Sequence, residues 1–383
     1  MHRQLYNAAL QQRIEAYQRR GISLSFSDQC RELTQLRKEC PEYAELNAQS
    51  CQVTLKRVDL GFQHFFRRIR EGARRPGFPR FKSVNRFKGF GYKSHGDGFK
   101  LQTQGKHGSV RISGVGTVHM RGKARTWGNP VTAEVLRKDD RWYLSVTVEC
   151  TPKRKAGSKA AGLDWGVETF ATLAVSDGTY EEVENPRFLK KSFKKLKSGQ
   201  VSLSRKKRNS KNRNKARKAV VKLHQRIANQ RKNLAHQVSA KLVKDYALIA
   251  SEELQVKNMT AQGGRAKAGL NREILNTAPA MFISFLKYKA EEASTQWIDV
   301  PTRQVKPSQT CSNCGHQEKK LLSERMHLCK RCHFRMGRDR NSARVNLNWA
   351  LVGNASGRET ACWGETILVS RNQETPSITT PVV

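Results

Sequence analysis

Acidic residues are scarce in this chain. Its 383 residues include 32 Asp and Glu against 72 Lys and Arg, which gives a formal net charge of +40 at pH 7. A chain this basic repels itself unless a polyanion neutralises it, and nucleic-acid phosphates do so while they release counterions. The imbalance therefore predicts a nucleic-acid partner, in a chain long enough for two or three domains.

Long apolar runs and a secretion signal are also lacking. No stretch approaches the roughly 18 apolar residues of a membrane-spanning helix, and the opening segment MHRQLYNAAL has no apolar signal-peptide core. An anionic membrane surface would also attract the charge, but nucleic acid is favoured and we expect no membrane partner. Nine cysteines without a secretion signal argue against a disulfide framework.

Four of the cysteines form a regularly spaced motif. Cys311 and Cys314 make one pair, and Cys329 and Cys332 make a second pair after fourteen further residues. Two such knuckles supply four thiolates that close a tetrahedral site for one Zn²⁺ ion. Because no position remains open for water, the zinc is predicted to be structural. The other five cysteines are scattered and are expected to be small core residues or inert thiols.

Helical periodicity over the first 72 residues or so gives way to a basic, aromatic segment. RRPGFPRFKSVNRFKGFGYK (74–93) interleaves basic and aromatic side chains with Gly and Pro. Such a loop suits phosphate contacts and base stacking, and it suits equally a solvated loop whose aromatics plug the domain. The nucleic-acid candidates in the loop are Arg75, Arg80, Phe81 and Lys82.

Period-two alternation from about 99 to 150 predicts a small β-domain, with a hairpin turn at 138–140. The polar, basic stretch TPKRKAGSK (151–159) predicts a linker, and three short strands are expected over 160–183. Further on, we expect a helix over roughly 272–294 and a strand at 297–302. The tail from about 354 has low apolar content and is predicted to be disordered.

The run from Arg187 to Lys244 contains no acidic residue. A helical stripe in its second half predicts a long helix with one packed side and one basic side, preceded by a mobile basic loop. A charge run is usually a solvated face, but the lack of compensating acids favours a phosphate-facing surface. The candidate phosphate contacts are Lys206, Lys207, Arg208, Lys211, Arg213 and Lys215.

Three of the few acids lie at the ends of predicted elements. Asp164 ends an apolar strand, Glu252 ends the strand in YALIASEEL (246–254), and Asp339 opens the helix after the cysteine motif. Each acid taken singly has a structural explanation: Asp164 as an acid in a turn, Glu252 as an acid at a sheet edge and Asp339 as a helix N-cap. Together they suit a site for two Mg²⁺ ions about 3.5–4 Å apart, which clamp the attacking water and the leaving oxygen of a phosphodiester. The order of elements resembles the RNase H/RuvC-like nuclease fold, a mixed sheet flanked by helices.

Several longer stretches resemble one family. GLDWGVETFATLAVSDG, SEELQVKNM, CSNCG…CKRC and GRDRNSARVNLNWAL occur in this order, and LYNAALQQRIEAY, GFPRFKS and DDRWYLSVTVE precede them. Over residues 1 to about 352 the chain resembles the TnpB (OrfB) family of transposon-encoded RNA-guided nucleases, relatives of type V CRISPR effectors. The resemblance implies a multidomain α/β and α+β protein: a RuvC nuclease with an inserted zinc ribbon, a helical recognition region and an OB-like β-barrel.

The resemblance also implies domain boundaries. We expect a helical recognition region with the basic loop at 1–98, an OB-like (wedge) domain at 99–152, the first part of the nuclease at 153–310, the zinc ribbon at 311–333, the last part of the nuclease at 334–353 and a disordered tail at 354–383. Family members begin with a β-strand and about one helical turn ahead of the segment that matches RQLYNAAL. This chain starts inside that region, a departure from the family pattern that bears on closure of the barrel and on recognition of the adjacent DNA motif.

Carried over residue by residue, the family's catalytic metal ligands fall on Asp164, Glu252 and Asp339. The family's usual Glu-Asp-Leu is Glu252-Glu253-Leu254 here, and only one adjacent strand residue can face the site; the family register favours Glu252. Its Asp-Arg-Asp is Gly337-Arg338-Asp339 here, which keeps the last acid. Arg338 and Arg340 are candidates for holding phosphate beside it.

The expected function is RNA-guided, Mg²⁺-dependent cleavage of double-stranded DNA next to a short transposon-adjacent motif, with a guide RNA from the transposon end. The protein is then expected in the prokaryotic cytoplasm, associated with the nucleoid. Two alternatives remain open at this point: a nuclease-inactive RNA-guided DNA-binding protein, such as a repressor or a decayed copy, and an accessory transposase that joins strands.

Overall fold

The computed structural model describes residues 1–103, 105–124, 127–138, 141–321 and 323–352. The chain divides into two compact units, Met1–Thr151 and a second unit that begins at Pro152. The expected disorder of 354–383 and two residues of the expected hairpin turn lie outside the described residues. None of the helices described is long and apolar enough to cross a membrane.

The first unit begins with four helices. Ser25 forms a capping box with Asp28 at the start of the second helix, and the last turn of the fourth is rich in arginine, which suits its dipole. Leu10, Leu55 and Val58 are among the fully buried residues that hold the helices together. The helices are α1 (His2–Arg20), α2 (Phe26–Glu39), α3 (Pro41–Ala44) and α4 (Ala48–Arg70).

Six strands complete the first unit as two three-stranded antiparallel sheets. One sheet has the order β1-β5-β6 and the other β2-β3-β4. Tyr92, Phe99 and Val110 belong to one buried cluster that joins the two sheets. The strand β1 lies within the basic, aromatic segment. The strands are β1 (Gly89–Tyr92), β2 (Phe99–Gln102), β3 (Gly108–Ile112), β4 (Gly116–Met120), β5 (Asn129–Lys138) and β6 (Arg141–Glu149).

A five-stranded mixed sheet is the centre of the second unit, with the order β11-β10-β7-β8-β9. The first three strands along the chain form an antiparallel meander, whereas β10 is parallel to β7 and β11 is parallel to β10. The unit is therefore a mixed α/β fold. Its sheet strands are β7 (Lys159–Trp165), β8 (Thr169–Val175), β9 (Tyr180–Glu184), β10 (Tyr246–Glu252) and β11 (Gln296–Val300).

Helices cover both faces of this sheet. Leu163 and Ile249 point to the side of α6 and α9, where Leu242 and Leu286 are buried with them. The opposite face carries α11, whose Val345 is buried with Ala250 of β10. The remaining elements are α5 (Phe188–Ser204), α6 (Lys211–Asp245), α7 (Val256–Met259), α8 (Arg265–Thr277), α9 (Pro279–Ala293), α10 (Thr302–Val305), β12 (Met326–Leu328), β13 (Arg335–Gly337) and α11 (Arg338–Val352).

Two expectations about helices are wrong. The mobile basic loop expected before the long helix is largely α5, which pairs with α6 as a helical hairpin and leaves a short turn at 205–210. The single helix expected over 272–294 is two helices, because Ala278 is left-handed with φ 54° and Pro279 begins the next helix. A proline at a first helical position has no backbone N–H to donate and so marks a helix start.

Candidate functional site

Two of the candidate acids end neighbouring parallel strands. Asp164 is the penultimate residue of β7 and Glu252 is the last residue of β10. The register pairs Ser251 with Leu163, so the next residue on each strand is the acid. Parallel strands end at the same edge of a sheet, and the two carboxyl groups therefore lie side by side at that edge.

Both acids lie on the sheet face that α11 covers. Gly162 and Asp164 are two residues apart and share a face, and a Cβ on Gly162 would lie 2.1 Å from the Ala343 carbonyl oxygen of α11. Glu252 shares the face of Ala250, which packs against α11. Glu253 follows the strand end and is exposed, with its N–H donating to a β11 carbonyl.

The third acid, Asp339, lies in the first turn of α11. Ala343, one turn later on the same side, is the residue that contacts Gly162 of β7. The missing Cβ of Gly162 thus allows α11 to approach β7 closely and brings its first turn towards the strand end that carries Asp164.

The electrostatics of these acids show their mutual proximity. Burial raises the pKa of Asp164 well above its usual range, and the carboxylates of Glu252 and Asp339 raise it further, against the opposing charge of Arg338. Burial also raises the pKa of Glu252 and that of Asp339. Divalent cations relieve such a concentration of buried negative charge, so the donor set fits Mg²⁺, which prefers carboxylate oxygens.

The three acids are less compactly grouped than the cysteines. Among the described residues, only the four motif cysteines have ligand atoms that all lie within 4.8 Å of one another. The carboxyl oxygens of Asp164, Glu252 and Asp339 are therefore not all within this distance of one another.

Arginines and glutamates surround Asp339. The Arg338 guanidinium donates to the carbonyls of Leu321 (2.7 Å) and Glu324 (3.2 Å). Two ion pairs frame the same turn, Arg340 with Glu182 at 2.7 Å and Arg325 with Glu168 at 3.0 Å. Sequence reasoning singled out Arg338 and Arg340 but missed Glu168, Glu182 and Arg325, because no spacing in the sequence links these three to the site.

The four motif cysteines come together as their spacing predicts. The Sγ atoms of Cys311 and Cys332 are 3.7 Å apart, and those of Cys314 and Cys329 are 3.6 Å apart. Tetrahedral bonds of about 2.3 Å to zinc place sulfurs about 3.8 Å apart, so the four thiols fit this ion. The amide of Asn313 lowers the pKa of Cys332 to about 6, whereas burial raises the pKa of Cys311 to about 12.

The basic, aromatic segment is anchored to α1 through its backbone. Asn7 donates to the Lys82 carbonyl (3.1 Å) and accepts from the Lys82 N–H (2.8 Å), and the Lys82 ammonium lies 5.7 Å from the centroid of the Tyr6 ring. Arg75, Arg80 and Phe81 are exposed. These three side chains are therefore available to a ligand, while Lys82 also has a structural role.

The candidate phosphate contacts of the α5–α6 hairpin likewise divide into exposed residues and residues with a structural role. Four of them, Lys207, Arg208, Lys211 and Lys215, are exposed. Arg213 is half-buried and donates to the carbonyls of Leu203 and Lys206 at the end of α5, so it holds the hairpin turn. Sequence reasoning missed further basic residues of α5, because it treated this segment as a loop. Lys194 and Lys197 of α5, together with Arg205 of the turn, line one groove with Lys206.

Two family models match separate parts of the chain. The model for the OrfB family of IS605 elements, described as "Probable transposase", matches residues 143–262, which include Asp164 and Glu252. A model described as "Cas12f1-like, TNB domain" matches residues 280–346, which include the four motif cysteines and Asp339.

Two bacterial relatives match much of the chain. The "Putative RNA-guided DNA endonuclease InsQ" of Escherichia coli (strain K12) is 33% identical over 311 residues, which cover 78% of this chain and 73% of the relative. A "Putative RNA-guided DNA endonuclease" of Streptomyces pristinaespiralis is 28% identical over 363 residues, which cover 93% of this chain and 85% of the relative.

A solved structure has a similar fold. A chain of the cryo-EM structure of a Cas12f1–sgRNA–target DNA complex aligns with a TM-score of 0.57 at 14% identity, covering 90% of this chain and 80% of that one. The likeness in fold therefore extends over both units.

Proposed function

The chain belongs to the TnpB (OrfB) family, and on this basis we propose that it is a transposon-encoded, RNA-guided DNA endonuclease. The observation that carries the proposal is the placement of Asp164, Glu252 and Asp339 on one face and edge of the second unit's sheet. The pKa of each of the three acids is raised, and a bound cation would favour their charged forms.

The second unit would then be a RuvC-like nuclease domain with the zinc ribbon inserted before α11, and the first unit would supply the helical recognition region and the OB-like domain. Asp164, Glu252 and Asp339 would hold two Mg²⁺ ions. Bound Mg²⁺ supplies the positive charge that activates water and stabilises the leaving oxygen of the phosphodiester. The protein's own contribution is to hold the three carboxyl groups in place before the metal binds.

Zinc is proposed to bind Cys311, Cys314, Cys329 and Cys332 and to act structurally. The support is the tetrahedral spacing of the four sulfurs, which leaves no coordination position for water or substrate.

The proposed partners are a guide RNA and double-stranded target DNA. Base pairing with the guide reads the DNA sequence, while the protein binds backbones and a short adjacent motif. The exposed basic residues of the α5–α6 hairpin and of the segment at 74–93 are the proposed backbone contacts.

The experiment is cleavage of a plasmid library by the protein copurified with RNA from the 3′ flank of its gene. The library carries the guide-matched target beside randomised flanking sequence. We expect Mg²⁺-dependent cutting that is lost in Asp164→Ala and in Glu252→Gln, and that is kept in Glu253→Gln, the matched control one residue beyond the strand. Guided binding without cutting would indicate the nuclease-inactive alternative, and guide-independent strand joining would indicate a transposase; either result overturns the proposal.

A further inference from the structure

A fully buried asparagine links α11 to the first cysteine pair. The Asn341 side chain has 0% exposure, its Oδ1 accepts from the Ser312 N–H at 3.0 Å, and its Nδ2 donates to the Thr310 carbonyl at 2.7 Å. The two bonded residues flank Cys311, so one amide side chain holds the backbone on both sides of this cysteine.

A second asparagine of the same helix continues this contact. Asn348 lies seven residues after Asn341, on the same side of α11, and donates to the Ser312 carbonyl at 3.0 Å. Both backbone groups of Ser312 are thus bonded to α11. The conformation of the backbone around the first cysteine pair is therefore coupled to the rotation of α11 about its axis.

A third asparagine binds α11 to the strand of the other acid. Asn346, also with 0% exposure, donates from Nδ2 to the Leu163 carbonyl of β7 at 2.9 Å, directly before Asp164. Asn346 lies seven residues after Asp339, so these two residues share the face of α11 that packs on the sheet. One helix therefore joins the zinc-binding backbone, through Asn341, to the strand end that carries Asp164.

We propose that Asn341 is a positioning residue for the nuclease site: it couples the zinc-binding backbone to the first turn of α11 and so holds Asp339 opposite Asp164. The proposal rests on the proposed function for its metal, but its geometry is independent of cleavage. Asn341 lies two residues after Asp339, so loss of its two bonds frees the turn that carries this acid. Zinc binding and Mg²⁺ binding are then linked through one side chain.

The test compares Asn341→Ala with Val345→Ala. Val345 is a buried residue of the same helix that packs on Ala250 and Val300, so its truncation loosens α11 without removing a bond to the zinc-binding backbone. Mg²⁺ is expected to raise the melting temperature. The first readout is the Mg²⁺ concentration that produces half of the maximal rise. We expect this midpoint to rise by up to about 10-fold in Asn341→Ala, the lower end of the range for direct hydrogen-bond partners of metal ligands, because Asn341 acts on Asp339 through the helix backbone, and to stay at the wild-type value in Val345→Ala.

The second readout is the rate at which zinc passes to a chelating dye. We expect faster release from Asn341→Ala and an unchanged rate from Val345→Ala. A wild-type Mg²⁺ midpoint in Asn341→Ala, or an equal shift in both variants, overturns the proposal. If Asn341→Ala does not fold, Asn348→Ala removes a single bond and is expected to shift the midpoint in the same direction; no shift in it also overturns the proposal.

These readouts separate the proposal from the proposed function. If guided cleavage fails but the Mg²⁺ midpoint shifts in Asn341→Ala alone, the nuclease assignment is wrong and the positioning role stands. If cleavage succeeds but the midpoint does not shift, the assignment stands and the positioning role is wrong.

Discussion

At the scale of single residues, the surroundings of Asp164 favour its neutral form, whereas the proposed metal binding requires its charged form. Its carboxyl group is half-buried near two others, and burial and the two neighbouring carboxylates raise its pKa and disfavour the charged form. The charged form is the one that a cation needs. A carboxyl group whose folded-state pKa is raised lowers the stability of the fold at neutral pH, and a cation bound at the proposed site would restore it.

This conflict predicts the effect of Asp164→Asn. In protein that retains zinc but lacks Mg²⁺, we expect the neutral amide to raise the melting temperature at pH 8 by about 2–4 °C, the shift that ~1 kcal/mol produces in a protein unit of this size. Because the folded-state pKa of Asp164 is raised, the wild-type carboxyl is protonated as pH falls, and the difference between the proteins shrinks at acid pH. Differential scanning fluorimetry at pH 8 and pH 5 measures both; a lower melting temperature for Asp164→Asn at pH 8 would contradict the account.

Gly162 allows α11 to lie close to β7 because it has no Cβ atom. A Cβ there would meet the backbone of α11, 2.1 Å from the Ala343 oxygen and 2.4 Å from the Leu347 nitrogen. We expect Gly162→Ala to lower the free energy of unfolding by about 1–3 kcal/mol or more, the usual cost of overpacking, and to abolish cleavage. Urea unfolding measures the first effect.

The matched control is Gly269→Ala in α8, where a Cβ meets nothing within 4 Å. Alanine in a helix interior is expected to stabilise by about 0.5–1 kcal/mol there. A stable, active Gly162→Ala protein would show that α11 does not need its close approach to β7.

At the scale of elements, hydrogen bonds from Asn341 and Asn348 join the cysteine segment to α11, so we expect the two to fold as one unit. We expect Cys329→Ser to lose zinc and to increase hydrogen exchange both at 310–337 and in the first turn of α11, because structural zinc contributes directly to folding energy. Cys150→Ser, at an exposed cysteine outside the motif, is the control and should change neither. Exchange that increases in the zinc-binding segment alone would show that α11 is independent of it.

In the α5–α6 hairpin, the exposed residues that are proposed to bind phosphates differ from the residue that holds the turn. We expect Arg208→Ala to weaken RNA and DNA binding and to reduce the slope of log affinity against log salt by about 1, the value for one lost phosphate contact, without a change in stability. Arg213→Ala should instead lower stability, because its guanidinium bonds two carbonyls at the end of α5. Filter binding over a salt series and thermal unfolding distinguish the two; equal salt slopes for Arg208→Ala and wild type would remove Arg208 from the interface.

Elements also show what could be predicted from the sequence. The cysteine spacing predicted the cluster because short knuckles bring their thiols together locally. The loop expected ahead of the long basic helix was wrong because charge masked the helical pattern of α5. The contacts of Asn341 and Asn346 with distant backbone could not be predicted, since they depend on how α11 packs in three dimensions.

At the scale of the whole molecule, two compact units carry a formal charge of +40. The charge predicted a nucleic-acid partner from composition alone, because nucleic-acid phosphates neutralise such an excess while they release counterions. The placement of the acids at element ends suggested that they converge, and the family resemblance assigned them as ligands. Asp164 and Glu252 are 88 positions apart in the chain and become neighbours through the parallel pairing of β7 and β10. The net charge thus indicates the class of partner, and the sheet topology indicates the position of the candidate active site.

The central claim is that the guide chooses the DNA that this site cuts. The direct measurement pairs two guide RNAs with two plasmids, each matched to one guide and both carrying the same flanking motif, in the presence of Mg²⁺. The account predicts linear plasmid in the two matched combinations and intact plasmid in the two mismatched ones. Equal cutting in all four combinations, or intact plasmid in all four, would contradict it.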